Sequence, residues 1–125
     1  HFRKRDDFSL FQGSELLLAP SFIFGGDGAI SALANIDPKL HVDIYEAART
    51  KDVDKTYQLQ KEMNFLFTVF SAAGDLRFFN NFILGIKISL NLLGVCDNYV
   101  CQIGRRPRKE EINRVEQILI KRKLL

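Results

Sequence analysis

The spacing of apolar residues changes near residue 35. Before that point they come in short runs broken by glycine. Phe8-Ser9-Leu10-Phe11-Gln12, entered from the charged segment Arg3 to Asp7 and ended by Gly13, reads as a strand. Ser14 and Glu15 stand where a helix would begin: serine can accept from a first-turn amide, and a carboxylate suits the positive end of the dipole. Leu16, Leu17, Leu18, Phe22, Ile23 and Phe24 leave that helix little polar face, so it is expected to be buried. Gly25-Gly26-Asp27-Gly28 ends it in a tight turn. Ala29-Ile30-Ser31-Ala32-Leu33 reads as a second strand, apolar without alternation, as in a parallel strand covered on both faces. Strand, helix and strand joined by short turns make a βαβ unit.

Past Asn35 the apolar steps become three and four, and the pattern is helical throughout. Asp37-Pro38 is a start signal, a capping acid before proline at the first helical position, with Leu40, Ile44, Ala47 and Ala48 on the inner face. Asp52 can cap a second helix running to Gly74, with Val53, Tyr57, Met63, Leu66, Phe67 and Phe70 expected inside. Asp75 can start a third, with Phe78, Phe79, Phe82, Ile83, Ile86, Leu90 and Leu93 inward until Gly94. A loop holding both cysteines, Gly104 and Pro107 leads to a fourth, with Ile112, Val115, Ile118 and Leu119 inward. Two strands make a poor sheet with open edges, so the first third is expected to need a partner.

Composition adds limits. A chain of 125 residues with 46% hydrophobic residues has the size and content of one domain that can bury a core. No apolar run approaches the roughly 18 residues of a membrane span, and Pro20 interrupts the longest, Leu16 to Phe24. The net charge of +3 gathers at Arg3-Lys4-Arg5 and at Arg105, Arg106, Arg108, Lys109 and Lys121-Arg122-Lys123. Asp6-Asp7 and Glu110-Glu111 interrupt both clusters, which suits solvated helix ends and argues against a nucleic-acid partner. Cys96 and Cys101 have only His1 and His41 as further soft ligands, short of a zinc set, so no metal is expected. They read as reduced thiols of a cytoplasmic protein, with a local disulfide as the alternative. The chain opens on His1-Phe2-Arg3 without an initiator methionine, so a fragment, a processed product or a chain whose start was lost is expected.

Six segments carry a resemblance, in order: Phe11-Gln12-Gly13-Ser14-Glu15; Gly25 to Asn35; Asp37-Pro38 with Ile44-Tyr45-Glu46-Ala47-Ala48; Lys51-Asp52 with Leu59-Gln60; Lys87 with Leu92-Leu93-Gly94; and Arg106-Pro107 before Glu110-Glu111. Together they resemble the C-terminal part of the dihydrodipicolinate synthase and N-acetylneuraminate lyase family of class I aldolases, from about residue 5 to the end. The resemblance implies an α/β fold, the last two strands and helices of a (β/α)8 barrel in residues 1–50, then a C-terminal helical extension in residues 51–125. A complete barrel takes about 250 residues.

In full-length members, the resemblance implies, pyruvate forms a Schiff base with a lysine of the sixth strand. A tyrosine of the fifth relays protons, and a Gly-Thr-Thr type turn holds the carboxylate. None of these segments is in this sequence. Lys87, the only lysine inside an apolar run, reads as a helix lysine extending its stem along the surface. No catalytic residue and no cofactor is therefore expected here, and the chain alone is expected to be inactive.

Barrel sites lie at the carboxyl ends of strands, which makes Gly13, Ser14 and Glu15 after the first strand and Ile30 through Leu33 in the second the candidates, with Gly13, Ser14 and Ile30 taken as substrate-binding. Gly13 either admits a ligand to the backbone or simply turns the chain. Ser14 either meets a ligand oxygen or caps a helix. Ile30 matches a position whose main-chain carbonyl faces pyruvate in the family. Sialic-acid lyases usually carry a second acid where this chain has Leu16, and a serine where it has Ala32. That favours 4-hydroxy-2-oxoglutarate or 2-keto-3-deoxy acid aldolases, or dihydrodipicolinate synthase. The expected partners are a small 2-oxo acid and a second copy or the missing barrel half, with no membrane. The alternative is a non-catalytic remnant that serves as an interaction or oligomerisation module.

Overall fold

Two short parallel strands and six α-helices occupy the residues that the computed structural model describes, 7–74, 79–101 and 105–125; of Phe79 and Asn80 only the helical backbone is described. The expectations for Arg3-Lys4-Arg5, Asp75, Phe78 and Gly104, and for the side chain of Phe79, lie outside the described residues. The chain divides into two compact units, His1–Asn64 and Phe65–Leu125.

In the first unit β1 (Phe11–Gln12) pairs in parallel with β2 (Gly28–Ala29), Phe11 opposite Gly28 and Gln12 opposite Ala29. Both strands are shorter than the apolar runs predict. Beyond Ile30 the chain bends into a 3-10 turn, Ala32–Asn35, because the amides of Ala32 and Leu33 are taken by a carboxylate and not by a neighbouring strand.

Between the strands lie a 3-10 turn, Glu15–Leu17, and α1 (Leu18–Ile23), which packs on α2 (Pro38–Arg49). Burial here corrects the expectation. Only Leu18 and Ala19 of the apolar run are buried, while Leu16, Leu17, Ile23 and Phe24 are exposed. Ser14 forms no side-chain capping bond where the first turn is 3-10, and its N–H donates to Gln12 Oε1 at 2.9 Å. α2 follows its sequence signals closely. Asp37 Oδ1 accepts from Leu40 N at 3.0 Å, and Leu40, Ile44, Ala47 and Ala48 are all buried.

α3 (Val53–Leu66) starts at the expected cap, with Asp52 Oδ1 accepting from Lys55 N at 3.0 Å. Its inner face differs. Val53 and Tyr57 are exposed, whereas Thr56, Gln60, Met63 and Leu66 are buried. Polar residues can lie inside when they are hydrogen-bonded. Thr56 Oγ1 donates to Asp52 O at 2.7 Å, and the Gln60 amide bridges Ala19 N and Glu15 O at 2.8 and 2.9 Å.

In the second unit a break at Phe67 begins α4 (Thr68–Ala72), so the single long helix predicted up to Gly74 is two. α4 packs on both α5 (Phe79–Leu92) and α6 (Lys109–Lys121), which also pack on each other. Val69, Phe70, Ala73, Leu84, Ile88, Val115 and Leu119 are buried. On α5 Leu84, Ile88 and Ser89 are buried, while Phe82, Ile83, Ile86, Leu90 and Leu93 are half-buried. Gly85 explains the close crossing: a Cβ there would stand 2.9 Å from Val69 O and 3.2 Å from Phe70 Cα.

The basic cluster before α6 is only partly solvated. Glu111, 4% exposed, accepts from Arg105 Nη1 and Nη2 at 2.7 and 2.5 Å and from Arg108 N at 2.8 Å. Arg105 also donates to Ala73 O, and Arg114 Nε to Ala72 O, so two arginines close the carbonyl end of α4. Burial works to raise the Glu111 carboxyl, but hydrogen bonds from Arg105 and Arg108 outweigh it and hold the group below the usual carboxylate range. A depressed carboxylate stabilises the fold above its unfolded value and loses that contribution as pH falls through the folded one. Acidification from about pH 6 to about pH 3 is expected to lower the melting temperature more in the wild type than in Glu111→Gln. Equal losses in the two proteins would remove the pair from the pH response.

Cys96 and Cys101 are free and exposed, and Lys87 Nζ reaches Cys96 Sγ at 3.4 Å. Among the described residues no helix is long and apolar enough to cross a membrane, and no three His, Cys, Asp or Glu side chains gather as metal ligands.

Candidate functional site

Parallel pairing sets the carboxyl ends of β1 and β2 side by side, with Ile30 N donating to Gln12 O at 3.0 Å. Gly13 and Ser14 follow the first strand and Ile30 the second, so the three candidates stand at adjacent strand ends. Ile30 is 76% exposed. Gly13 is exposed as well, and a Cβ built on it would meet nothing within 4 Å. Its backbone is open to approach. Ser14 is half-buried, and no capping bond engages its side chain.

Glu15 is the residue that organises this corner. It is 4% exposed, and its Oε1 accepts from Ser31 Oγ at 3.0 Å, Ala32 N at 2.9 Å and Leu33 N at 3.2 Å. Its own carbonyl accepts from Gln60 Nε2, and Gln60 Oε1 takes Ala19 N. The side chain therefore ties the turn after β1 to the turn after β2, while α3 holds the same residue from behind. Sequence reasoning placed Glu15 at the first helical turn and among the strand-end candidates but missed this tie between the two turns. The available signal was an acid set among apolar residues: a charge in a buried stretch must find partners.

Ser31 is tied in turn to α2. Its Oγ lies 2.7 Å from His41 Nε2, and His41 Nδ1 lies 2.8 Å from Asp37 O. A cleft of about 450 Å³ runs past this chain of groups, with Phe11, Phe22, Ser31, His41 and Tyr45 in its wall. Gly13, Ser14 and Ile30 do not line it.

The sequence profile of the dihydrodipicolinate synthetase family matches residues 2–122. The chain belongs to this family. An uncharacterised DapA-like lyase of Thermofilum pendens is 31% identical over 114 residues, which is 91% of this chain and 35% of that protein. Dihydrodipicolinate synthase of Bacteroides thetaiotaomicron superposes with a TM-score of 0.87 at 27% identity, covering 96% of this chain and 40% of that one. YagE of Escherichia coli K12, a prophage member of the dihydrodipicolinic acid synthase family solved in complex with pyruvate, gives 0.78 at 25% identity over 94% of this chain and 38% of its own.

The chain thus spans about a third of the length of the curated relatives it matches. Its fold is α/β: two strands and the helices of a partial (β/α)8 barrel, followed by a helical extension. Proteins named dihydrodipicolinate synthase, N-acetylneuraminate lyase and 2-keto-3-deoxygluconate aldolase all share it. No single one of these enzymes is singled out.

Proposed function

We propose that this chain is the C-terminal segment of a pyruvate-dependent aldolase or lyase that acts on 2-oxo acids through a Schiff base. Residues 1–50 form the last barrel segment in this reading, and residues 51–125 the helical extension. The observation that carries it is the open pair of strand ends, where Gly13 leaves its backbone unobstructed beside Ile30. Gly13 admits the substrate to the backbone, Ser14 offers a hydroxyl to a substrate oxygen, and Ile30 presents its main-chain carbonyl. The pyruvate bound to YagE supports the ligand class. Leu16 and Ala32 withhold two polar partners from a polyhydroxylated sugar, which favours 4-hydroxy-2-oxoglutarate, a 2-keto-3-deoxy acid or the dihydrodipicolinate synthase substrates.

The nucleophilic lysine belongs to a segment outside this sequence. Treatment of the chain with pyruvate and sodium borohydride is expected to leave its intact mass unchanged. The full-length gene product treated in the same way is expected to gain one reduced pyruvate, on a lysine outside residues 1–125. An adduct on any lysine of this chain would overturn the assignment. A second reading, an assembly module without chemistry, is favoured by the exposure of Leu10, Phe11, Phe24 and Ile30 around the strands. No adduct anywhere in the full-length product would select it.

A further inference from the structure

The hydrogen bonds from Glu15 to the carbonyl of Asp37 set a proton count. Ser31 has a single hydroxyl proton. Glu15 Oε1 accepts the amides of Ala32 and Leu33 and is the acceptor of that hydroxyl at 3.0 Å. Ser31 Oγ can then only accept from His41 Nε2, 2.7 Å away. The Asp37 carbonyl also only accepts, so Nδ1 must carry a proton too. All three contacts are hydrogen bonds together only when the ring is an imidazolium. In the neutral ring Nδ1 keeps its proton for Asp37, Nε2 becomes an acceptor, and the Ser31 hydroxyl turns to it and away from Glu15.

We propose that His41 is a positioning residue for the strand-end corner, delivering the Ser31 hydroxyl to Glu15 when protonated and withdrawing it when neutral. Glu15 thus holds the turn that carries Gly13 and Ser14 by three side-chain bonds or by two. Asp27 from the turn before β2 and Tyr45 and Glu46 on α2 itself line the cleft beside the ring, and Glu15 is reached through Ser31; among the described residues no lysine or arginine lines the cleft. The third bond is present when both ring nitrogens carry a proton and is lost in the neutral ring. The relay stands on this geometry alone, and only its consequence for a ligand rests on the proposed function.

The test is nitrogen-15 NMR of the imidazole rings in the intact chain between about pH 5 and about pH 8, with His41→Asn identifying the His41 signals. Protonation of both ring nitrogens is expected at the acid end and the Nδ1–H neutral tautomer at the alkaline end. The side-chain carboxylate carbon of Glu15 and the amide of Ser14 should shift with the same midpoint as the ring. In Ser31→Ala, which removes only a hydroxyl, the ring should still titrate while the His41-linked step at Glu15 is lost. An Nε2–H tautomer at the alkaline end would overturn the proposal. So would a Glu15 step that survives Ser31→Ala, because the coupling would then be through space and not through the hydroxyl. Borohydride trapping reads none of these signals, so failure of the relay and failure of the proposed function are told apart.

Discussion

Replacing Glu15 by alanine is expected to cost about 3–5 kcal/mol, since hydrogen bonds to charged groups contribute about 1.5–3 kcal/mol each and a buried amide left unpaired costs about 1–3 kcal/mol. Three donors lose their acceptor at once, and one of them, Leu33 N, belongs to a residue with no exposed surface. Water has poor access to replace the carboxylate. Against a total stability of about 5–15 kcal/mol for a small protein, the loss is a large fraction. Urea unfolding measures it, and amide exchange at Ala32 and Leu33 should accelerate before any other described position in the first unit. Glu15→Gln keeps a carbonyl oxygen for these amides without the charge, and is expected to cost less than half as much. A Glu15→Ala midpoint equal to that of the wild type would show that the turns hold without the staple.

Phe70→Ala is expected to cost about 3–5 kcal/mol, toward the upper end of the range for core aromatic truncations. The ring has no exposed surface, stacks on Phe82 with centroids 3.7 Å apart, and meets Phe67 edge-on at 5.0 Å. The cost of such a truncation depends on whether neighbours can collapse into the space. Here α4 and α5 already touch at Gly85, where a Cβ would stand 3.2 Å from Phe70 Cα, so the backbones have little room to approach further. The cavity should persist. Denaturant unfolding of the variant, followed through hydrogen exchange in α4 and α5, gives the number; Phe70→Leu, which keeps most of the volume, should recover more than half of the loss. A cost near 1 kcal/mol would mean that the helices do close up.

These two sites differ in how legible they were. Phe70 lies in an apolar helical period, and its burial follows from the three-and-four spacing of its segment. The Asp37-Pro38 start and the inner face of α2 were equally plain, because capping and amphipathic spacing act within a turn or two of the chain. Other local patterns misled. Leu16, Leu17 and Phe24 lie in the most apolar run yet remain exposed, since they flank a six-residue helix whose packing on α2 buries only Leu18 and Ala19. On α3, Thr56 and Gln60 took inner positions that the apolar pattern had given to Val53 and Tyr57. Their donors and acceptors are satisfied inside, a condition that hydropathy does not register.

At the strand ends the order strand, helix, strand and the position of Gly13, Ser14 and Ile30 at the carboxyl ends were present in the sequence, as was the family. Residue order determined those features because each depends on neighbours a few positions away. The tertiary structure alone decided that Glu15 would be buried and joined to residues 16 to 18 positions later, and that Ser31 would stand between it and His41. Parallel pairing brings two carboxyl ends together across a whole helix, and hydrogen bonds over that distance have no period along the chain.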